Sequence, residues 1–114
     1  MSLSFSSSVF GIQAAFHIMS VSAHNTANIN TDGYKKQRVS LSEGNHGGVM
    51  VNIRESSEPG PGYQHANGNI SEASNVEISE EIPIQVGAKH LLSANVAALK
   101  ISEEMQKSLL DIMV

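Results

Sequence analysis

Ala23-His24-Asn25-Thr26-Ala27-Asn28-Ile29-Asn30-Thr31-Asp32-Gly33-Tyr34-Lys35 is the run on which the reading of this chain turns. Asn, Thr and Asp bond their own backbone, and Asn and Gly tolerate left-handed backbone, so the run reads as the end of a helix followed by a turn. The helix is expected to stop near Asn28. Asn25 and Asn28 lie one turn apart while still inside the helical pattern, where Asn is a poor helix former. Their side chains are therefore expected to bond to another segment.

Upstream, from Ser8 to Asn28, apolar residues fall at Val9, Ile12, Phe16, Met19 and Ala23, the three-then-four spacing of one helical stripe. Downstream the period changes to two, in Val39/Leu41 and Val49/Val51/Ile53, which predicts two short strands with a turn through Glu43–Gly48. Pro59-Gly60-Pro61-Gly62 cannot be helix and would interrupt a central strand, so residues 55 to 72 read as an extended or mobile loop.

Helical spacing returns at Ser74-Asn75-Val76-Glu77, which has the Ser-x-x-Glu form of a capping box. Pro83 lacks an amide hydrogen and Gly87 adds weakness, so a short helix, 76–82, is expected to break from a long one, 84–113. The long helix carries two apolar stripes. One holds Leu91, Ala94, Ala98, Ile101, Met105, Leu109 and Ile112; the other holds Leu92, Val96, Leu99, Leu110 and Met113, with Asn95, Ser102 and Gln106 between them. A single partner helix buries one seam, and the first helix supplies only one, so the second stripe implies another molecule. The length of this helix predicts a rod-like shape.

The chain has 114 residues, room for one small domain; hydrophobic residues make up 40% but aromatics only 4%, so any core is thin and association is expected. A formal charge of -4 argues against nucleic acid as a partner. Without Cys there are no disulfides, thiolate nucleophiles or Cys-ligated metals. No run approaches the roughly 20 apolar residues of a membrane span, and the first residues carry no cleaved-signal pattern.

His17, His24, His46, His65 and His90 form no close ligand pair, so no metal site is read. No G-x-S-x-G elbow, Ser/His/Asp set or phosphate-cradling Gly loop is present. The pairs Glu80-Glu81 and Glu103-Glu104 read as solvated helix faces rather than acid/base pairs. The sequence therefore predicts no enzyme and no cofactor.

The run from Ala23 to Lys35 resembles the N-terminal signature of bacterial flagellar rod and hook proteins, A-x-N-x-A-N-x-N-T-x-G-Y/F-K, at Ala23, Asn25, Ala27, Asn28, Asn30, Thr31, Gly33, Tyr34 and Lys35. Ser74-Asn75-Val76, Glu80-Glu81, Ala94-Asn95, Lys100, Glu104-Met105 and Leu109-Leu110 resemble that family's terminal helix in the same order. Pro83 and Gly87 depart from it where the family usually has uninterrupted helix, and Thr26 stands where Leu or Ile is common.

The resemblance implies a mainly α fold in which N- and C-terminal helices pair as a coiled-coil-like hairpin around a short β-hairpin and loop, in segments 1–35, 36–73 and 74–114. It implies a structural subunit of the basal-body rod, of the small proximal type. Such a subunit is exported by the flagellar type III apparatus without a cleaved signal and resides in the periplasmic rod. Its partners would be further copies and other axial proteins, with no membrane insertion. The assembly residues would be Val9, Ile12, Phe16, Met19, Ala23, Asn25 and Asn28 on the first helix. On the last they would be Leu91, Leu92, Val96, Ala98, Leu99, Ile101, Met105, Leu109 and Ile112. Asn30, Thr31, Gly33 and Tyr34 would form the turn. Within the pair, Val9, Ile12, Phe16 and Met19 would face Leu91, Ala98, Ile101 and Met105, or their counterparts in another subunit. The rival reading is a small helical adaptor or chaperone-like module associated with secretion, binding through the same seams.

Overall fold

Two long helices account for most of the chain. In the computed structural model, which describes residues 2–113, α1 spans Ser2–Ala27 and α2 spans Ile78–Met113. Ser22 meets Glu81 while Gly11 meets Asn95, so the two helices run antiparallel and pack together as a helical hairpin. At 1.5 Å per residue they are about 39 and 54 Å long, which leaves roughly the last ten residues of α2 beyond the start of α1. The molecule measures 80 × 25 × 14 Å with a radius of gyration of 20.2 Å, against about 13 Å for a compact chain of this length. Among the described residues no helix is long and apolar enough to cross a membrane.

α1 begins earlier than the apolar stripe suggests, because the Ser-rich stretch ahead of Val9 contains no helix breaker. It ends as the Asn-rich run predicts. Asn28 Nδ2 donates to the His24 carbonyl (2.9 Å), Asn28 Oδ1 accepts from the Thr31 hydroxyl (3.0 Å), and Gly33 takes a left-handed φ of 72°.

Between the helices lie two separate antiparallel pairs. β1 (Gln37–Glu43) pairs with β2 (Val49–Glu55), matching Val39 with Ile53 and Leu41 with Val51, as the alternation predicts. This ribbon lies back along α1, and Gly48 (φ 79°) sits so close to Phe10 that a Cβ there would come within 2.4 Å of the ring. The second pair corrects the expectation of a loop at 55–72: β3 (Gly62–Gln64) pairs with β4 (Ile70–Glu72). The His65 amide donates to the Asn69 carbonyl (2.7 Å), and Gly68 takes φ 90°. The prolines stand before the ribbon rather than in it.

Two further expectations are corrected in α2. Ser74 Oγ accepts the amide of Val76 (3.1 Å) in a tight turn, and the helix starts only at Ile78, after the Glu77 carbonyl accepts the amides of Glu80 and Glu81. Pro83 does not break the helix. It stands in the second turn, where it removes a single bond, the one to the Ser79 carbonyl, and Ser79 is exposed to water.

Among the described residues, the fully buried apolar side chains are Ala14, Ala15, Ala88 and Val76. Among the described residues the apolar core is confined to these small side chains.

Candidate assembly interface

The contact between the helices is made by small and polar residues. On α1, Ser8, Gly11, Ala15, Ser22 and Asn25 are buried, with Ile18 half-buried in the same register. On α2, Glu81 and Ala88 are buried, while Gln85, Leu92, Asn95, Leu99 and Ser102 are half-buried. Both sets alternate steps of three and four, so each lines one face of its helix. The helices approach so closely that a Cβ on Gly11 would lie 2.3 Å from Asn95 Oδ1. The Asn95 amide folds back to donate to the Leu91 carbonyl of its own helix (2.8 Å).

This corrects the expected facing of the stripes within one chain. Phe16, Ile101 and Met105 are 59%, 56% and 55% exposed, and Ala23 and Ala98 are exposed as well. Val9, Ile12 and Met19 are half-buried on the flank of α1 one position over from the seam. On α2 two of the residues that separate the apolar stripes, Asn95 and Ser102, are turned toward α1 together with Leu92 and Leu99 of the second stripe. Leu91 is half-buried beside it, and Val96, Leu109 and Ile112 stay exposed. Periodicity finds the stripes; it does not say which stripe faces inward.

At the end of the seam a polar cluster ties the helices to the middle segment. Asn25, with no exposed surface, uses all of its hydrogen-bonding capacity. Its Nδ2 donates to the Gln37 carbonyl (2.8 Å) and Glu81 Oε1 (3.2 Å), and its Oδ1 accepts from the Gln37 amide and the Tyr34 hydroxyl (both 2.9 Å). The expectation that Asn25 reaches another segment holds; Asn28 bonds only locally.

Glu81, also without exposed surface, accepts from Ser22 Oγ (2.6 Å) and Arg38 (2.6 Å) besides Asn25. Glu80 pairs with Arg38 (2.5 Å) and Lys36 (2.8 Å), so two carboxylates meet two cations. The reading of Glu80-Glu81 as a solvated face is thus wrong for Glu81. Hydrogen bonding from Lys36, then Arg38, holds the Glu80 carboxyl below the usual carboxylate range. Burial, followed by the nearby Glu81 and Glu55 charges, pushes the Tyr34 phenol up.

Asn75 repeats the device from the α2 side: its Oδ1 accepts the Lys36 amide (2.6 Å) and its Nδ2 donates to the Glu58 carbonyl (2.9 Å). Lys35 pairs with Glu72, and Tyr63 donates to Asp32. Of the turn residues, Asn30 and Thr31 are exposed and Tyr34 is half-buried.

Reasoning from sequence missed Gly11, Ser22, Lys36, Arg38 and Glu81. The signal available for the first two was the small-residue spacing Ser8, Gly11, Ala15, Ser22, which the adjacent apolar spacing overshadows.

A groove of about 290 Å³ runs beside this polar clamp, lined by Ile18, Val21, Val39, Ile84 and Leu91 together with Ser22, Asn25, Arg38 and Glu81 of the clamp. The polar atoms at its end are already paired with one another, which leaves no free acid, base or nucleophile aimed into it. Among the described residues no three His, Asp or Glu side chains stand together as metal ligands. What the arrangement offers is a stiff junction and long uncovered apolar flanks. No protein-family model matches the chain, and no curated protein matches it either.

Proposed function

We propose that this chain is a structural subunit of the bacterial flagellar basal-body rod, working in motility by self-assembly through its terminal helices. The observation that carries the reading is uncovered apolar surface. The accessible area is 7905 Å², whereas a folded monomer of this mass exposes about 6,100 Å². The excess, roughly 1,800 Å², exceeds what one partner contributes to a standard protein interface, about 800 Å². That excess counts polar and apolar area together; its apolar part includes Phe5, Phe16, Val96, Ile101, Met105, Leu109 and Ile112 on the helices, each about half exposed or more.

The three-four spacing of the buried seam supports the finer reading of the pair as coiled-coil-like. The Asn-rich run that resembles the rod signature forms the clamp at one end of that pair. Further copies and other axial proteins are the partners in this reading, the type III export apparatus is the route, and the periplasmic rod is the location.

Clean deletion of the gene in a flagellated host tests it. Loss of filaments and swimming, restored by the gene in trans, and co-purification of the tagged protein with basal bodies are the expected results. Normal swimming after deletion, in a host without a second copy, overturns the assignment. A protein that stays with a client in the soluble fraction points to the adaptor instead.

A further inference from the structure

We propose that two free copies of this chain associate through an antiparallel contact between their α1 helices, about a two-fold axis passing between Val9 and Ile12. The inference does not depend on the flagellar reading. Two flanks of α1 are occupied within the chain: Gly11, Ala15 and Ser22 meet α2, and Phe10 meets Gly48 of the β1–β2 ribbon. The remaining apolar flank carries Phe5, Val9, Ile12 and Phe16, with both phenylalanines more than half exposed.

That flank is self-complementary. Its residues are spaced four, three, four, and its order, Phe–Val–Ile–Phe, reads alike from either end: aromatic, β-branched, β-branched, aromatic. An antiparallel copy places Phe5 on Phe16 and Val9 on Ile12, twice over, as a two-fold interface requires. α1 contains no Lys, Arg, Asp or Glu, so no like charges are brought together. Antiparallel helix dipoles attract where parallel ones repel. The exposed end of α2 is a poorer candidate for self-pairing, because Glu103, Glu104, Lys107 and Asp111 interrupt it.

Sedimentation equilibrium of the full chain is expected to give a reversible dimer. Phe16→Glu should weaken it roughly 100-fold, because the symmetric contact loses the residue twice, while the circular dichroism spectrum stays unchanged. Leu109→Glu should leave the dimer intact.

Orientation is read from Val9→Cys and Ile12→Cys chains, which have no other cysteine. Oxidising an equimolar mixture should give chiefly the mixed disulfide, and either chain alone should cross-link slowly. A monomer at all concentrations, a dimer that Leu109→Glu dissociates and Phe16→Glu does not, or homodisulfides forming as fast as the mixed one would each overturn the proposal.

Discussion

Asn25 presents to β1 the two groups that a neighbouring strand would present, a donor for the Gln37 carbonyl and an acceptor for its amide. Its remaining capacity goes to Glu81 and Tyr34, so one side chain fixes the end of α1, the start of β1 and the first turns of α2. The sequence made this residue legible because Asn inside a helical pattern calls for an external partner. Glu81 was not legible. A carboxylate on a helix is nearly always solvated, and only the fold brings Arg38, Ser22 and Asn25 around it. Glu81→Ala leaves the buried Ser22 and Asn25 donors short of an acceptor while Arg38, about one-third exposed, keeps Glu80, and should cost about 1–3 kcal/mol in urea unfolding.

Acid acts on the neighbouring pair. The Glu80 carboxyl titrates lower in the folded chain than in the unfolded one, where its pKa is about 4.3. Its contribution is therefore complete above the unfolded value and is lost as the pH falls through the folded one. The urea midpoint should drop as the pH falls below the unfolded value of about 4.3, and Glu80→Gln should flatten that slope.

At the level of elements, the end of α1 and the β1–β2 ribbon were readable because local chemistry decides them: Asn and Gly stop a helix, and alternation makes a ribbon. The β3–β4 ribbon was hidden by the neighbouring prolines, although Asn67-Gly68 between Tyr63-Gln64 and Ile70-Ser71 is itself a hairpin signal. The α1–α2 seam was misassigned for a different reason. Apolar stripes attract the reading, but close helix approach favours small residues, and Gly11 against Asn95 sets the spacing. Gly11→Ala gains about 1 kcal/mol of helix propensity, yet its methyl meets the Asn95 amide, so a net loss of about 1–3 kcal/mol is expected. Adding Asn95→Ala should recover that loss, and a double-mutant cycle of unfolding free energies checks the coupling.

Taken whole, the molecule is two helices sharing a polar junction, with length where a globular protein has thickness. The part of α2 beyond α1 stands open to solvent: residues 103–113 are all exposed. Ending the chain at Glu103 should therefore change the unfolding free energy by less than about 1 kcal/mol, measured by urea titration, even though the segment carries Met105, Leu109, Leu110, Ile112 and Met113.

The antiparallel pairing also brings the outer ends of α1 and α2 to the same side, opposite the clamp. Tension applied across those ends peels the helices apart one turn at a time instead of shearing the whole seam at once. The small residues yield first and singly. Asn25, Glu81 and Arg38, at the far end of the zipper, are the last to let go.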